Sequence, residues 1–202
     1  MHVSLTQNTL TPELSRLIRE AKHPRSIYGA GAKAVQIGIV KHLQDLQSRG
    51  NQRGWPERKF FSGGPDSVRK KVGIARLDDT GATITIADPR FIHRIEGGTV
   101  TAKRAKMIAI PLTAEAYAAG GKGTLRQSMP GLIVIKTAKG AWLAMPTAGR
   151  GKSADSLRFL FKLVRSVTHK PHPSEMPDAA KLSAAAQSAM LKAAAMLAKP
   201  KG

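Results

Sequence analysis

Residues 92–112 read Ile92-His93-Arg94-Ile95-Glu96-Gly97-Gly98-Thr99-Val100-Thr101-Ala102-Lys103-Arg104-Ala105-Lys106-Met107-Ile108-Ala109-Ile110-Pro111-Leu112. A short amphipathic segment carries His93 and stops at the pair Gly97–Gly98. A basic run follows at Lys103, Arg104 and Lys106. It leads into an apolar strand, Met107–Ile110, closed by Pro111, which lacks the N–H a ladder needs. The period therefore changes from helix to strand across a glycine break.

Upstream of this stretch, Ala82, Ile84 and Ile86 alternate with Thr83 and Thr85, the pattern of a half-buried strand. Val72–Leu77 alternates in the same way, and Asp78-Asp79-Thr80-Gly81 joins the two as a turn. Asp88-Pro89 ends the second strand, and a short helix is expected over 89–95. Further upstream, Tyr28, Ala32, Val35, Ile39, Leu43 and Leu46 recur at steps of three and four, which predicts a long helix after Pro24. Lys33, Gln36, Gln44 and Gln47 fall off that stripe. Gly29, Gly31 and Gly38 weaken its propensity, so it relies on packing, and Gly29, Gly31 and Ala32 permit another element to come close. Thr11-Pro12-Glu13 marks the start of a shorter preceding helix.

Downstream, 113–131 is an excursion with a helical piece at Ala114–Ala119. Leu132–Ile135 and Ala141–Met145 flank a hairpin turn. Phe159, Phe161, Leu163, Arg165 and Val167 alternate over one long final strand. A helix then runs from Asp178, a good cap, to Ala198, with Leu182, Ala186, Met190, Ala193 and Leu197 on one thin stripe. The expected fold is α+β: an antiparallel, twisted sheet packed by the long N-terminal helix, with an extra C-terminal helix. The expected organisation is one domain over 1–170 with a long loop at 49–71, then a Pro-containing linker and Ala-rich helix over 171–202.

The chain has 202 residues, 42% of them hydrophobic but only 4% aromatic, so its core is built of aliphatic side chains. It has no cysteine, which removes disulfides and thiolate metal sites. Neither a signal peptide nor a membrane span is expected, and synthesis in the cytoplasm follows. Lys and Arg number 33 against 13 Asp and Glu, a formal charge of +20. Such a field favours polyanions or acidic protein surfaces.

The local candidates for such contacts are Lys103, Arg104 and Lys106, and Arg69, Lys70 and Lys71. Both runs flank strands and are expected at one rim of the sheet. The plainer reading of either is a solvated bend that keeps a sheet edge soluble. Trp55, Phe60 and Phe61 lie in the basic loop, where aromatics either stack on bases or anchor the loop, onto its own domain or a neighbouring subunit. The anchor reading is favoured, because Pro56 and Gly63-Gly64-Pro65 fold the segment back. No phosphate loop, zinc-protease or nucleophile-elbow motif occurs: Arg150-Gly151-Lys152-Ser153 lacks the upstream glycine. The histidines are scattered, and His169 and His172 have no local carboxylate to complete a metal set. Asp78-Asp79 is a turn rather than an acid pair. No catalytic, cofactor or metal site is expected, and the chain is not expected to be an enzyme.

Several blocks in order are similar to the tail-completion, or head–tail joining, superfamily of tailed bacteriophages. They are Gly54-Trp55-Pro56; the turn from His93 to Gly97-Gly98-Thr99, where the family has His-x-x-Gly-Gly-Thr and this chain one residue more, with its Lys-rich bend and Ala109-Ile110-Pro111-Leu112 strand; Pro130–Lys136; and Leu163–Thr168. The resemblance covers residues from about 12 to 170. It implies a structural virion protein that forms a ring, six-fold by expectation, in the neck. It also implies partners: further copies of itself, the tail terminator, and the portal or head-completion proteins, with passing genomic DNA contacted without sequence specificity. No membrane partner or cofactor is implied. The alternative is a sequence-independent nucleic-acid-binding protein that uses its basic loops.

Overall fold

A computed structural model of the chain describes residues 15, 18–19, 21–50, 59–103, 105–120, 124–147 and 157–199. The fold is α+β, with helices and antiparallel strands. Of the expected first helix, residues 15, 18, 19, 21 and 22 are described and helical, and the rest lies outside the described residues. The chain divides into two compact units, and the division differs from the expected boundary at residue 170. One unit combines the N-terminal helix, Lys59–Phe91 and the C-terminal segment from Ser174. The other is built mainly from Ile92–Pro173. The reason lies in the packing of the last helix.

In the first unit, α1 (Arg25–Ser48) runs for 24 residues and buries Gly31, Ala32, Ile39, Leu43 and Leu46. These positions follow the expected stripe. Its polar neighbours also bond. Gln36 Nε2 donates to the Val72 carbonyl at 3.1 Å, and Gln47 Oε1 accepts from the N–H groups of Phe61 and Ser62 at 3.1 and 3.3 Å. Helix α1 packs on a two-stranded antiparallel ribbon of β1 (Val72–Asp78) and β2 (Gly81–Ile86).

The C-terminal helix α5 (Ala179–Ala198) lies along α1. Asp178 caps it, accepting from the N–H of Ala180 at 2.9 Å and of Lys181 at 3.4 Å. The contact is close because α1 offers hydrogen atoms where other residues carry a Cβ. A Cβ at Gly31 would stand 2.8 Å from Met190 Cγ, and one at Gly38 would stand 2.7 Å from Leu182 Cδ2. The glycines that weaken α1 as an isolated helix are thus the seat of the last one. His42 Nε2 lies 2.9 Å from the Glu175 carbonyl and ties the segment leading into α5 to the same helix.

Helix α2 (Pro89–Glu96) leads into the second unit. There, β3 (Gly98–Thr101) pairs with β8 (Ser166–His169) in a two-stranded sheet. A separate four-stranded antiparallel sheet has the order β4 (Ile108–Pro111), β7 (Leu157–Val164), β6 (Gly140–Pro146), β5 (Ile133–Thr137). Two short helices, α3 (Ala114–Ala119) and α4 (Leu125–Ser128), fill the excursion before β5. The core beside them gathers Ala116, Met129, Leu160 and Phe161, with Ala109, Leu143 and Met145 packed against it.

The single long final strand expected over 159–167 is two strands in different sheets, parted at Arg165. A register shift explains why alternation misleads here. Leu143 faces Phe161, yet the next residue, Ala144, faces Phe159. Leu160 is the extra residue of a bulge, so Leu160 and Phe161 both enter the core, at 0% and 1% exposure. At the break itself, the Arg165 carbonyl accepts from Ala102 N–H at 3.2 Å, which hands the chain from one sheet to the other.

Candidate functional site

The 3₁₀ turn Val68–Lys71 ends in the three cations Arg69, Lys70 and Lys71. Arg69 and Lys70 are exposed. Lys71 is only half exposed, and its Nζ stands 3.3 Å from the carboxylate of Asp88, whose side chain is fully buried. Asp88 also receives Arg90: the backbone N–H at 2.9 Å, Nε at 3.0 Å and an Nη at 2.7 Å. That guanidinium donates to the Asp66 carbonyl at 2.6 Å. A single carboxylate therefore gathers Lys59–Phe91 at three places: the 3₁₀ turn, the start of α2, and the turn at Asp66. The hydrogen bonds from Arg90 hold Asp88 far below the ordinary carboxylate range, against the opposing effect of burial, and Asp88 in turn raises Arg90. Lys71 is thus tied to the fold through Asp88, with its side chain still 35% exposed.

Phe60 and Phe61 are half-buried. Their rings meet edge to face at 5.0 Å, Phe61 meets the buried Phe91 at 6.4 Å, and Arg90 lies over Phe60 at 5.5 Å. Both rings therefore anchor the segment onto its own unit, and each keeps part of its surface exposed. Trp55 lies outside the described residues.

Lys103 and Lys106 are exposed on the connection between β3 and β4. Arg104, between them, lies outside the described residues. This run belongs to the second unit and Arg69–Lys71 to the first, so the two runs are not brought to one sheet. At the head of the same connection, the glycine pair has a physical reason. Gly97 has φ +73°, and a Cβ there would lie 2.8 Å from both the His169 carbonyl oxygen and Pro171 N. A Cβ on Gly98 would meet His93 Cε1 at 3.1 Å. His93 sits edge to face with His169 at 5.5 Å, and its buried Nε2 makes no hydrogen bond among the described residues. This corner is a close backbone crossing, and the His93-to-Thr99 spacing follows from it.

Asp78 is a turn residue, as expected. It accepts from Thr80 Oγ1 at 2.6 Å, from Thr80 N–H at 2.9 Å and from Arg76 Nε, and Thr80 and then Arg76 hold it below its ordinary range. Among the described residues no three His, Asp or Glu side chains are grouped to hold a metal, and no helix is long and apolar enough to cross a membrane.

The feature that sequence reading missed is a face of the four-stranded sheet. Register places Ile110, Lys162, Trp142 and Ile135 in one row across all four strands. The alternation of side chains adds Ile108, Val164 and Ile133 to that face, and the bulge returns Phe159 to it. Trp142 meets Phe159 edge to face at 5.8 Å, and Lys162 Nζ stands 5.7 Å from the Trp142 ring centre. Phe159 is 36% exposed and Ile133 is 39% exposed. The bulge is what hid this face, because simple alternation puts Phe159 with Phe161.

In comparisons with known proteins, no family model matches the chain, and neither does any curated protein or solved structure.

Proposed function

We propose that the chain is a structural protein of a tailed-phage virion, which forms a ring in the neck, completes the tail and joins it to the head. The observation that carries this reading is the ordered set of motifs around Gly97–Gly98, from the His93 turn through the basic bend to Ala109-Ile110-Pro111-Leu112. An assembly protein also needs surface that its own fold leaves uncovered. Among the described residues, no strand pairs with the outer edge of β5, where Val134 is 56% and Ile133 39% exposed. A free edge with apolar side chains is a site for pairing or docking. The ring is homomeric and six-fold, its neighbours are the tail terminator and the portal or head-completion proteins, and genomic DNA passes it without sequence-specific contact. The chain has no catalytic role in this reading, and its location is the virion.

The second reading is a sequence-independent nucleic-acid-binding protein. The exposed cations Arg69, Lys70, Lys103 and Lys106 favour it, together with the charge of +20. Electron micrographs of the purified chain, alone and with the particle proteins, test the first reading. Rings with cyclic symmetry are expected. A single isolated copy in the mature particle overturns the ring, and tight, salt-resistant, sequence-selective DNA binding promotes the second reading.

A further inference from the structure

One face of the four-stranded sheet carries Ile108, Ile110, Ile133, Ile135, Phe159 and Trp142 around Lys162; with the described residues in place Ile133, Phe159 and Lys162 are exposed, the others partly so, and Ala144 between Ile133 and Phe159 is buried. On the opposite face of the same sheet, Ala116 of α3 is fully buried with Leu160 and Phe161, and Glu115 of α3 pairs with Arg158 at 2.5 Å, while Val134 of β5 is 56% exposed. Among the described residues, no carboxylate pairs with Lys162, and its ammonium stands over the Trp142 ring.

We infer that this face is the docking site for an acidic amphipathic segment of another protein, with apolar side chains on the isoleucines and Phe159 and a carboxylate on Lys162. The inference rests on the assembly reading, and it names the chemistry of the partner. Charge complementarity selects that occupant. A central ammonium amid apolar side chains is desolvated when covered, so the covering surface must return a carboxylate. A second copy presenting this same face is the weaker fit, because a two-fold contact of like faces sets Lys162 against Lys162 and returns no carboxylate. Single-stranded nucleic acid is also the weaker fit. A stacking platform needs open ring faces and a track of cations. Here Lys162 stands over Trp142, Phe159 meets the same ring, and the rest of the face is aliphatic.

The Trp55→Phe variant leaves Trp142 as the one tryptophan of the chain, so its fluorescence reports on this face. Three probes are titrated: an amphipathic helical peptide of leucine and glutamate, the same peptide with lysine for glutamate, and oligo(dT). The glutamate peptide is expected to shift Trp142 emission and to bind about tenfold or more tightly than the lysine peptide. Lys162→Glu reverses that order, Lys162→Met abolishes the preference without reversing it, and Phe159→Asp weakens both peptides. Lys162 is exposed, so its variants are expected to fold. A Trp142 response to oligo(dT) with none to the peptides overturns the inference. So does an order unchanged by Lys162→Glu, or a Trp142 shift that follows protein concentration alone. Rings in micrographs of a chain whose Trp142 ignores the glutamate peptide leave the assembly reading standing and remove this one.

Discussion

Lys71 Nζ lies 3.3 Å from the fully buried carboxylate of Asp88, so one of the cations in the run before β1 is tied to the fold by an ion pair. Its neighbours Arg69 and Lys70 remain on the surface. The run therefore separates by function at the level of single residues. Lys71→Ser is expected to lower stability in urea, whereas Lys103→Ser with Lys106→Ser leaves stability unchanged. The same double change is expected to reduce the salt slope of duplex DNA retention by about 2, since each phosphate contact releases about one counterion. An unchanged slope removes these lysines from any DNA contact.

Asp88→Asn removes the charge that Arg90 and Lys71 share. A loss of about 2 kcal/mol is expected, the size of hydrogen bonds to a charged group that are left weakened. The pH dependence has a fixed sign. The folded-state value of Asp88 lies below its ordinary value of 3.8, so its contribution is present above that pH. It is lost as the pH falls below 3.8 toward the depressed folded value. Urea titrations across that range are expected to show a shallower acid loss in Asp88→Asn than in the parent chain.

Gly97→Ala is expected to destabilise by about 2 kcal/mol or more, because the left-handed conformation and contact with the backbone of His169 and Pro171 act together. Gly73→Ala is the matched control. A Cβ there meets nothing within 4 Å, and its φ is not in the left-handed region. Its melting temperature is expected to equal or exceed that of the parent. Equal effects for the two changes count against the crossing at Gly97.

Gly38→Ala brings a methyl group to within 2.7 Å of Leu182 Cδ2, while raising the helix propensity of α1 by about 1 kcal/mol. The clash is relieved when Leu182 is also alanine. A double-mutant cycle is therefore expected to show a favourable coupling of at least about 0.5 kcal/mol between the two changes. Additive effects would mean that α5 does not seat on Gly38.

Local pattern made much of this architecture legible. The α1 stripe, the Ala82–Ile86 strand, the hairpin of β5 and β6, the short helix before Gly97, and the Asp178 cap are all set by neighbours within a few residues. The parts that escaped depend on distant partners. Asp88 reads as a strand terminator until Lys71 and the Asp66 carbonyl are placed beside it. Gln36 and Gln47 read as a solvent face, yet each satisfies backbone groups of another segment. Phe159 reads as a core residue because one inserted residue, Leu160, reverses the alternation. Of the candidate contact residues, the exposure of Arg69, Lys70, Lys103 and Lys106 was legible from charge alone. The role of Lys71 was not.

The packing of α5 on α1 has a consequence for the order in which the chain matures as it leaves the ribosome. The strands and short helices of Ile92–Pro173 form a nearly contiguous stretch, and their pairings are available once Pro173 has emerged. Helix α1 is made early, but the side chains that cover Gly31 and Gly38 are Met190 and Leu182, which lie beyond Pro173. The N-terminal unit therefore closes after the unit that follows it in sequence. The surface of α1 around Gly31 and Gly38 stays uncovered until the chain beyond Pro173 has emerged, a long loop closure, while its contact with β1 and β2 is available sooner.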